Sequence, residues 1–215
     1  MVELNKRIIT SLFLFLTLYT AINNLYIMGS VLIICFIQVF YEFHLILKKI
    51  FFKKSLINFY LILLFLLVYL FFFHFKIFSI FYTDNYNQKI LFYFVITICI
   101  SSDIGGYIFG KIFKGKKLTK ISPNKTYSGL IGSYIFSLIF SNIFFFDYLS
   151  INNIIIFSLV ISSISQAGDL CISFLKRKAK IKDTANFLPG HGGLLDRFDG
   201  LMFAFPGGFL IFNTI

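Results

Sequence analysis

A chain of 215 residues that is 58% hydrophobic, 20% aromatic and only 13% charged departs from the composition of a soluble domain, which carries about 25% charged residues. These figures exclude a cytosolic enzyme, a disordered chain and a secreted disulfide scaffold, and they leave an integral membrane protein. The formal net charge of +11 is informative through where the charges fall.

Seven stretches are predicted to span a membrane, at about 8–22, 25–47, 56–75, 90–110, 129–149, 152–175 and 198–213. Most approach the roughly 20 apolar residues that a helix needs to cross a bilayer core, and the first and last are shorter, to be read as less tilted or partly interfacial. Continuous apolar runs, rather than alternation, exclude a β-barrel. The first span follows Lys6 and Arg7, as a signal peptide would. It is expected to be a retained helix, because Tyr19-Thr20-Ala21-Ile22-Asn23-Asn24 lacks a small-residue cleavage pattern. Threading the spans with the N-terminus inside places every Lys and Arg except Lys76 and Lys89 on one side, and only Asp84 and Asp147 among the acids on the other. The positive-inside rule therefore predicts a cytoplasmic N-terminus and chemistry on the cytoplasmic side. Cys35, Cys99 and Cys171 lie far apart in apolar runs, so neither a disulfide framework nor a zinc site is expected. The expected fold is an all-α integral membrane protein, a polytopic bundle of about seven transmembrane helices. Residues 1–90 form N-terminal spans and 91–215 a catalytic region, within one membrane domain.

The chain changes character near residue 100. Polar residues are sparse in the spans before it, whereas three segments beyond it, 101–107, 121–126 and 165–200, are rich in ionisable groups and glycine. In the sixth span Ser158, Ser162, Ser165/Gln166, Asp169 and Ser173 recur every three or four residues and form one polar stripe. Small polar residues also serve close helix packing in membranes, which accounts for the serines but not for Asp169. A carboxylate within a span costs about 2.5–3.5 kcal/mol on insertion scales, so such a group faces a bundle interior or wet cavity and is functional by default. Asp103 lies near the end of the fourth span, where a charge reaches water cheaply, and both a structural and a functional reading of it stay open. Ser102, Gly106 and Gly110 have small-x-x-x-small spacing, favouring helix packing.

The segment Leu188-Pro189-Gly190-His191-Gly192-Gly193-Leu194-Leu195-Asp196-Arg197-Phe198-Asp199-Gly200 is the densest. Its glycines let backbone approach a ligand closely, and a helix starting near residue 194 offers unpaired N–H groups to an anion. Asp196 and Asp199 are three apart, hence neighbours on one helix face. Two such carboxylates beside a phosphate site favour Mg²⁺, which takes one or two carboxylates and completes its octahedron with substrate oxygens and water. Lys176, Arg177, Lys178, Lys180 and Lys182 follow the sixth span, as basic residues do beside any cytoplasmic span end.

The order of residues in Ser173–Asp199, Ser-x-x-Lys-Arg, four residues, Lys-Asp, then His-Gly-Gly and Asp-Arg-x-Asp, closely resembles the signature of the phosphatidate cytidylyltransferases (CDP-diacylglycerol synthases). The resemblance extends to Gly168-Asp169-Leu170, to Ile121-Ser122-Pro123-Asn124-Lys125-Thr126 and to Ser102-Asp103-Ile104-Gly105-Gly106, about the C-terminal half. Earlier residues match only as hydrophobic spans, with a faint echo at Tyr41-Glu42-Phe43. Tyr127-Ser128-Gly129 stands where the family has Trp-Glu-Gly, and one or two N-terminal spans of longer bacterial relatives are expected to be missing.

The resemblance implies that CTP and phosphatidate give CDP-diacylglycerol and pyrophosphate. It implies Asp169 and Asp196 as metal ligands with Asp199 a third candidate, Mg²⁺ as the cofactor with a second cation left open, and Lys176 and Arg177 as catalytic charges. Lys182, Asp183, His191, Gly192, Gly193 and Arg197 map to the substrate-binding motif, and Ser122, Lys125 and Asp103 are further candidates for nucleotide or lipid phosphate. The expected partners are CTP, phosphatidate and the bilayer, with no nucleic acid and an implied homodimer, in a bacterial inner membrane. Three alternatives differ in chemistry. A cytidylyltransferase for an ether or isoprenoid lipid phosphate shares the motif. A transporter is disfavoured because the polar groups cluster toward one surface without an internal repeat. An alcohol phosphotransferase is disfavoured because its Asp-Gly-x-x-Ala-Arg run is absent.

Overall fold

A computed structural model describes residues 2–52, 55–185, 187 and 192–212, with side chains from Ile9 onward. Among these residues there are seven helices and no strand: α1 (Val2–Asn23), α2 (Leu25–Phe51), α3 (Leu56–Tyr82), α4 (Tyr86–Phe113), α5 (Tyr127–Phe145), α6 (Ile151–Lys178) and α7 (Leu195–Phe212). Helices α2 to α6 are long and apolar enough to cross a membrane; the apolar part of α1, Ile9–Asn23, is shorter, and α7 has 18 residues with Pro206 inside it. The protein is a polytopic helical membrane protein. The two helices expected to be short are the two that fall outside the set of five.

The helix ends follow local chemistry. Asn24 caps α2, its Oδ1 accepting from the backbone N–H of Tyr26 and Ile27 at 3.0 and 3.3 Å, and Ser55 caps α3 through the N–H of Asn58. Helix α3 runs past the predicted end at 75. Ser79 there returns its hydroxyl proton to the Lys76 carbonyl, so polar residues continue the helix without an unsatisfied donor. Thr126 caps α5, its Oγ1 accepting from the Gly129 N–H at 3.1 Å.

The chain divides into two compact units, Met1–Asn85 with Leu175–Phe198, and Tyr86–Phe174 with Asp199–Ile215. In the first, α2 buries Val39, Phe43, Ile46 and Leu47, and α3 buries Phe59, Leu70 and Ile80. The rings of Phe36 and His74 meet edge-on at 5.6 Å. The opposite side of α3 exposes Leu64, Phe65, Phe72 and Phe75, a contiguous apolar face suited to lipid. In the second unit Phe94 is fully buried and packs edge-on against Phe145 of α5 and Phe157 of α6.

Within the second unit α4 and α5 touch backbone to backbone. A Cβ at Gly106 would stand 2.7 Å from Ser133 Oγ, and one at Gly129 would stand 2.8 Å from the Gly106 carbonyl oxygen. The small-residue spacing of α4 thus serves the close approach of α5. Hydroxyls complete the contact. Ser133 donates to the Ser102 carbonyl at 2.8 Å, Ser102 and Ser162 are 3.1 Å apart, and Ser141 and Ser158 are 2.7 Å apart. The stripe on α6 is therefore partly a packing device, and it runs on through Asp169 to Ser173, which bond each other.

Candidate active site

The second unit carries a polar cleft of about 280 Å³ lined by α4, the α4–α5 loop, α5 and α6. Asp103, Ser122, Asn124, Lys125, Gln166 and Asp169 all reach it, so four of the predicted site residues, drawn from three sequence segments, share one space. The loop is built to hold this arrangement. Gly115, with φ 95°, supports its turn. Lys117 and Thr126 form an antiparallel bridge, the Leu118 N–H donates to the Lys125 carbonyl at 2.7 Å, and the Lys125 N–H donates to the Ser122 carbonyl at 3.1 Å. These bonds present Lys125 Nζ to Asp169 Oδ2 as an ion pair whose side chains are 27% and 28% exposed. Ser173 donates to the other oxygen of Asp169 at 3.3 Å. A half-buried pair with water access has its charges compensated yet free to be exchanged for those of a ligand. Asp103 itself is exposed.

The Tyr127-Ser128 replacement has a structural role. Ser128 Oγ donates to the Lys114 carbonyl and lies 3.0 Å from the capping Thr126 Oγ1. It ties the loop to the start of α5, which a longer Glu side chain would do differently.

The other described candidates except Asp199 lie in the first unit. Lys176 Nζ and Asp196 Oδ1 pair at 2.7 Å with both side chains nearly buried. Asp196 Oδ2 accepts from the Thr184 N–H at 3.0 Å, the Thr184 hydroxyl at 3.1 Å and the Gly193 N–H at 3.3 Å. Asp196 precedes the apolar stretch of α7. Burial raises its pKa, but the hydrogen bonds and charge of Lys176 and the bonds from Thr184 outweigh it and hold the carboxyl below its usual range. A depressed folded pKa stabilises the fold above the ordinary carboxylate value near pH 4, and that contribution fades as pH falls through the depressed value. The thermal midpoint of wild type should therefore exceed that of Asp196→Asn at pH 7, with the gap closing in melts run below about pH 4. A gap independent of pH would contradict the role of charge.

Arg177 donates from Nη1 to the Ile181 carbonyl at 3.3 Å, closing the end of α6, and is exposed, as are Lys182, Asp183 and Arg197. Gly192 adopts φ 83°, and Gly193 is buried. His191, expected to contact phosphate, lies outside the described residues, as do Pro189 and Gly190. Asp199, in the second unit, accepts from the Gly200 N–H at 2.8 Å.

One acid in this region was not among the expected site residues. Glu42 of α2 is fully buried and accepts from Gln38 Nε2, Thr184 Oγ1, Leu194 N–H and Leu195 N–H at 2.5 to 3.0 Å. A carboxylate inside an apolar run was the signal that could have found it, the same one that drew attention to Asp169.

Beside Lys125 and two leucines the cleft presents the hard oxygens of Asp103, Ser122, Asn124, Gln166 and Asp169, the chemistry Mg²⁺ selects. Among the described residues no three His, Cys, Asp or Glu side chains gather closely enough to hold an ion by themselves. That suits an ion that takes one or two carboxylates and fills its remaining positions from phosphates and water. Asp169 fits such a role by exchanging Lys125 for the ion. Asp196 already uses both oxygens and would have to release Lys176.

Long apolar helices with an oxygen-lined, lysine-bearing cleft define a class: a polytopic membrane protein built to handle a polar ligand. The chain matches the Cytidylyltransferase family over residues 1–215 and belongs to it. It is 42% identical over 127 residues to the phosphatidate cytidylyltransferase of Bacillus subtilis (strain 168), covering 57% of this chain and 47% of that protein. It is 46% identical over 109 residues to that of Staphylococcus haemolyticus (strain JCSC1435), covering 49% and 42%. With that of Rickettsia felis (strain ATCC VR-1525 / URRWXCal2) it shares 40% identity over 138 residues, 60% of each chain. The chain spans about half the length of the first two relatives.

Proposed function

We propose that the protein transfers the cytidylyl group of CTP to phosphatidate, giving CDP-diacylglycerol and pyrophosphate. The observation that carries this reading is the Lys125–Asp169 ion pair in an oxygen-lined cleft of a chain that belongs to the cytidylyltransferase family. A phosphate oxygen of the lipid attacks the α-phosphorus of CTP. The bond from that phosphorus to the bridging oxygen breaks, and pyrophosphate leaves. The dianionic phosphomonoester needs no base to attack, so the task is to bring two polyanions together, and positioning and charge neutralisation supply most of the catalysis.

The residues divide that task. Lys125 meets a phosphate once it lets go of Asp169, while Ser122 and Asn124 at the cleft offer neutral polar groups that fix orientation. Lys176, Arg177, Lys182 and Arg197 supply positive charge, and Asp183, Gly192 and Gly193 belong to the same substrate-binding segment. Asp169 and Asp196, with Asp199 as a third candidate, are the residues that would hold Mg²⁺. When bound, Mg²⁺ neutralises phosphate charge and aligns the α-phosphorus for in-line attack. The side bearing nearly all Lys and Arg faces the cytoplasm of a bacterial inner membrane, where CTP resides, and a homodimer is the assembly the resemblance implies.

Purified protein with radiolabelled CTP, phosphatidate vesicles and Mg²⁺ should yield a labelled lipid, and EDTA should stop the reaction. Labelling of an ether-linked lipid phosphate in preference to phosphatidate would shift the substrate class, and no labelling of either would remove the reaction.

A further inference from the structure

Glu42 is a carboxylate with no exposed surface, and its four partners among the described residues, Gln38, Thr184 and the N–H groups of Leu194 and Leu195, are all neutral. A buried carboxylate without a cation is expensive unless dipoles replace its water. Here they do. Oε1 accepts from Leu194 N–H at 2.9 Å and Oε2 from Leu195 N–H at 3.0 Å, so the charge rests on the positive end of α7. A helix is ordinarily capped by a Ser, Thr, Asp or Asn beside its first turn. The residue at the N-cap position of α7 is Leu194, which has no such side chain. Leu194 supplies the carbonyl that receives Phe198 N–H at 3.2 Å, and the residue before it is Gly193, where a Cβ would collide with Thr184 Oγ1 and Glu42 Oε2. The N–H groups of Leu194 and Leu195 are therefore capped from α2, and at Gly193 a side chain has no room beside that carboxyl.

The same carboxylate reaches Asp196. Thr184 Oγ1 lies 2.5 Å from Glu42 Oε2 and 3.1 Å from Asp196 Oδ2. One hydroxyl proton is shared between two carboxylates, and Lys176 closes the far end of the chain at Asp196 Oδ1. We infer that Glu42 is a positioning residue of the catalytic apparatus: through Thr184 it fixes the carboxylate of Asp196, and through Leu194 and Leu195 it orients the first turn of α7. The inference rests on the proposed reaction for the role of Asp196, and on geometry alone for the tether.

The test uses the full chain in detergent, with Glu42→Gln, Thr184→Val, Thr184→Ser and the double variant Glu42→Gln/Thr184→Val. Gln turns one of the two acceptor oxygens into an NH₂ that opposes a backbone N–H, of Leu194 or of Leu195, and Val removes the shared hydroxyl while keeping its shape. Amide hydrogen exchange at Leu194 and Leu195 should accelerate at least about tenfold in Glu42→Gln, with the amides of α4 and α5 unchanged. In the labelling assay kcat should fall about 10- to 100-fold in Glu42→Gln and in Thr184→Val, with KM for CTP near that of wild type, the range seen when a residue that orients a ligating group is lost. Thr184→Ser should restore most of the rate. The double variant should lose no more than the worse single one, because both break one chain of contacts. If Glu42→Gln does not fold, the Thr184→Val and Thr184→Ser pair carries the comparison. Unchanged exchange at 194–195, additive losses, equal activity of the Val and Ser variants, or accelerated exchange spread evenly over α4 and α5 would each overturn the inference. A wild-type chain that labels no lipid removes the proposed reaction instead, and the exchange measurement still decides whether Glu42 holds the start of α7.

Discussion

Asp169→Asn is expected to lower CTP-dependent lipid labelling by about 10²- to 10³-fold, the loss typical of removing one preorganised electrostatic group from an active site. The substitution is nearly isosteric. Asn still accepts the bond from Ser173, and the position is about a quarter exposed, so helix α6 keeps its packing through Ser158 and Ser162. What disappears is the negative charge that holds Lys125 in the cleft and that would hold Mg²⁺. Lys125→Met should produce a loss of similar order by the opposite route, removing the cation proposed to meet phosphate. Initial rates at varied CTP and Mg²⁺, beside far-UV circular dichroism to confirm helicity, make the comparison. Turnover of Asp169→Asn within threefold of wild type would end the assignment of this cleft.

Gly132→Val is expected to act on stability rather than chemistry, and strongly. Gly132 is buried on α5. A side chain there meets Phe109 and lies 2.6 Å from the Gly105 carbonyl oxygen, while Gly105 in turn faces the Gly132 carbonyl and Phe136. Backbone atoms are on both sides, so no rotamer change relieves the clash and the helices must separate. Overpacking of a filled interface costs about 1–3 kcal/mol and at times more, which for a chain of this size lowers the thermal midpoint by several degrees, at about 2–4 °C per kcal/mol. Separation also moves Gly106, Gly129 and Ser133, which line the cleft, so activity should fall with stability. Ile131→Ala, at a neighbouring position that is 56% exposed, serves as the control and should leave both unchanged. A Gly132→Val midpoint equal to wild type would mean that α4 and α5 do not depend on this contact.

Much of this arrangement was legible in the order of residues. Continuous apolar runs located the helices because hydrocarbon-length segments leave little freedom in reading them. Asp169 stood out because a lone acid in a span is costly. Its partner Lys125 was named from a different segment, and the cleft joins the two. Boundaries were less legible: α4 begins at Tyr86, and α3 reaches Tyr82 where the hydroxyls of Ser79 and Thr83 bond helix carbonyls and let polar residues continue a helix that hydropathy alone would end. Glu42 was the larger omission. Read locally, it is an acid nearly two turns before Lys48 and Lys49, and its place inside an apolar run marks it without naming its partners. Its partners lie at separations of 142 to 153 residues, which local periodicity does not reach.

That separation has a consequence for biosynthesis. Helix α2 leaves the ribosome long before Thr184, Leu194 and Leu195 exist, so Glu42 enters the bilayer without three of its four partners and must wait for them. Assembly of the first unit is therefore completed only once residues 184–195 have been made. A nascent chain that has not reached Thr184 holds the Glu42 carboxyl with Gln38 alone of these partners.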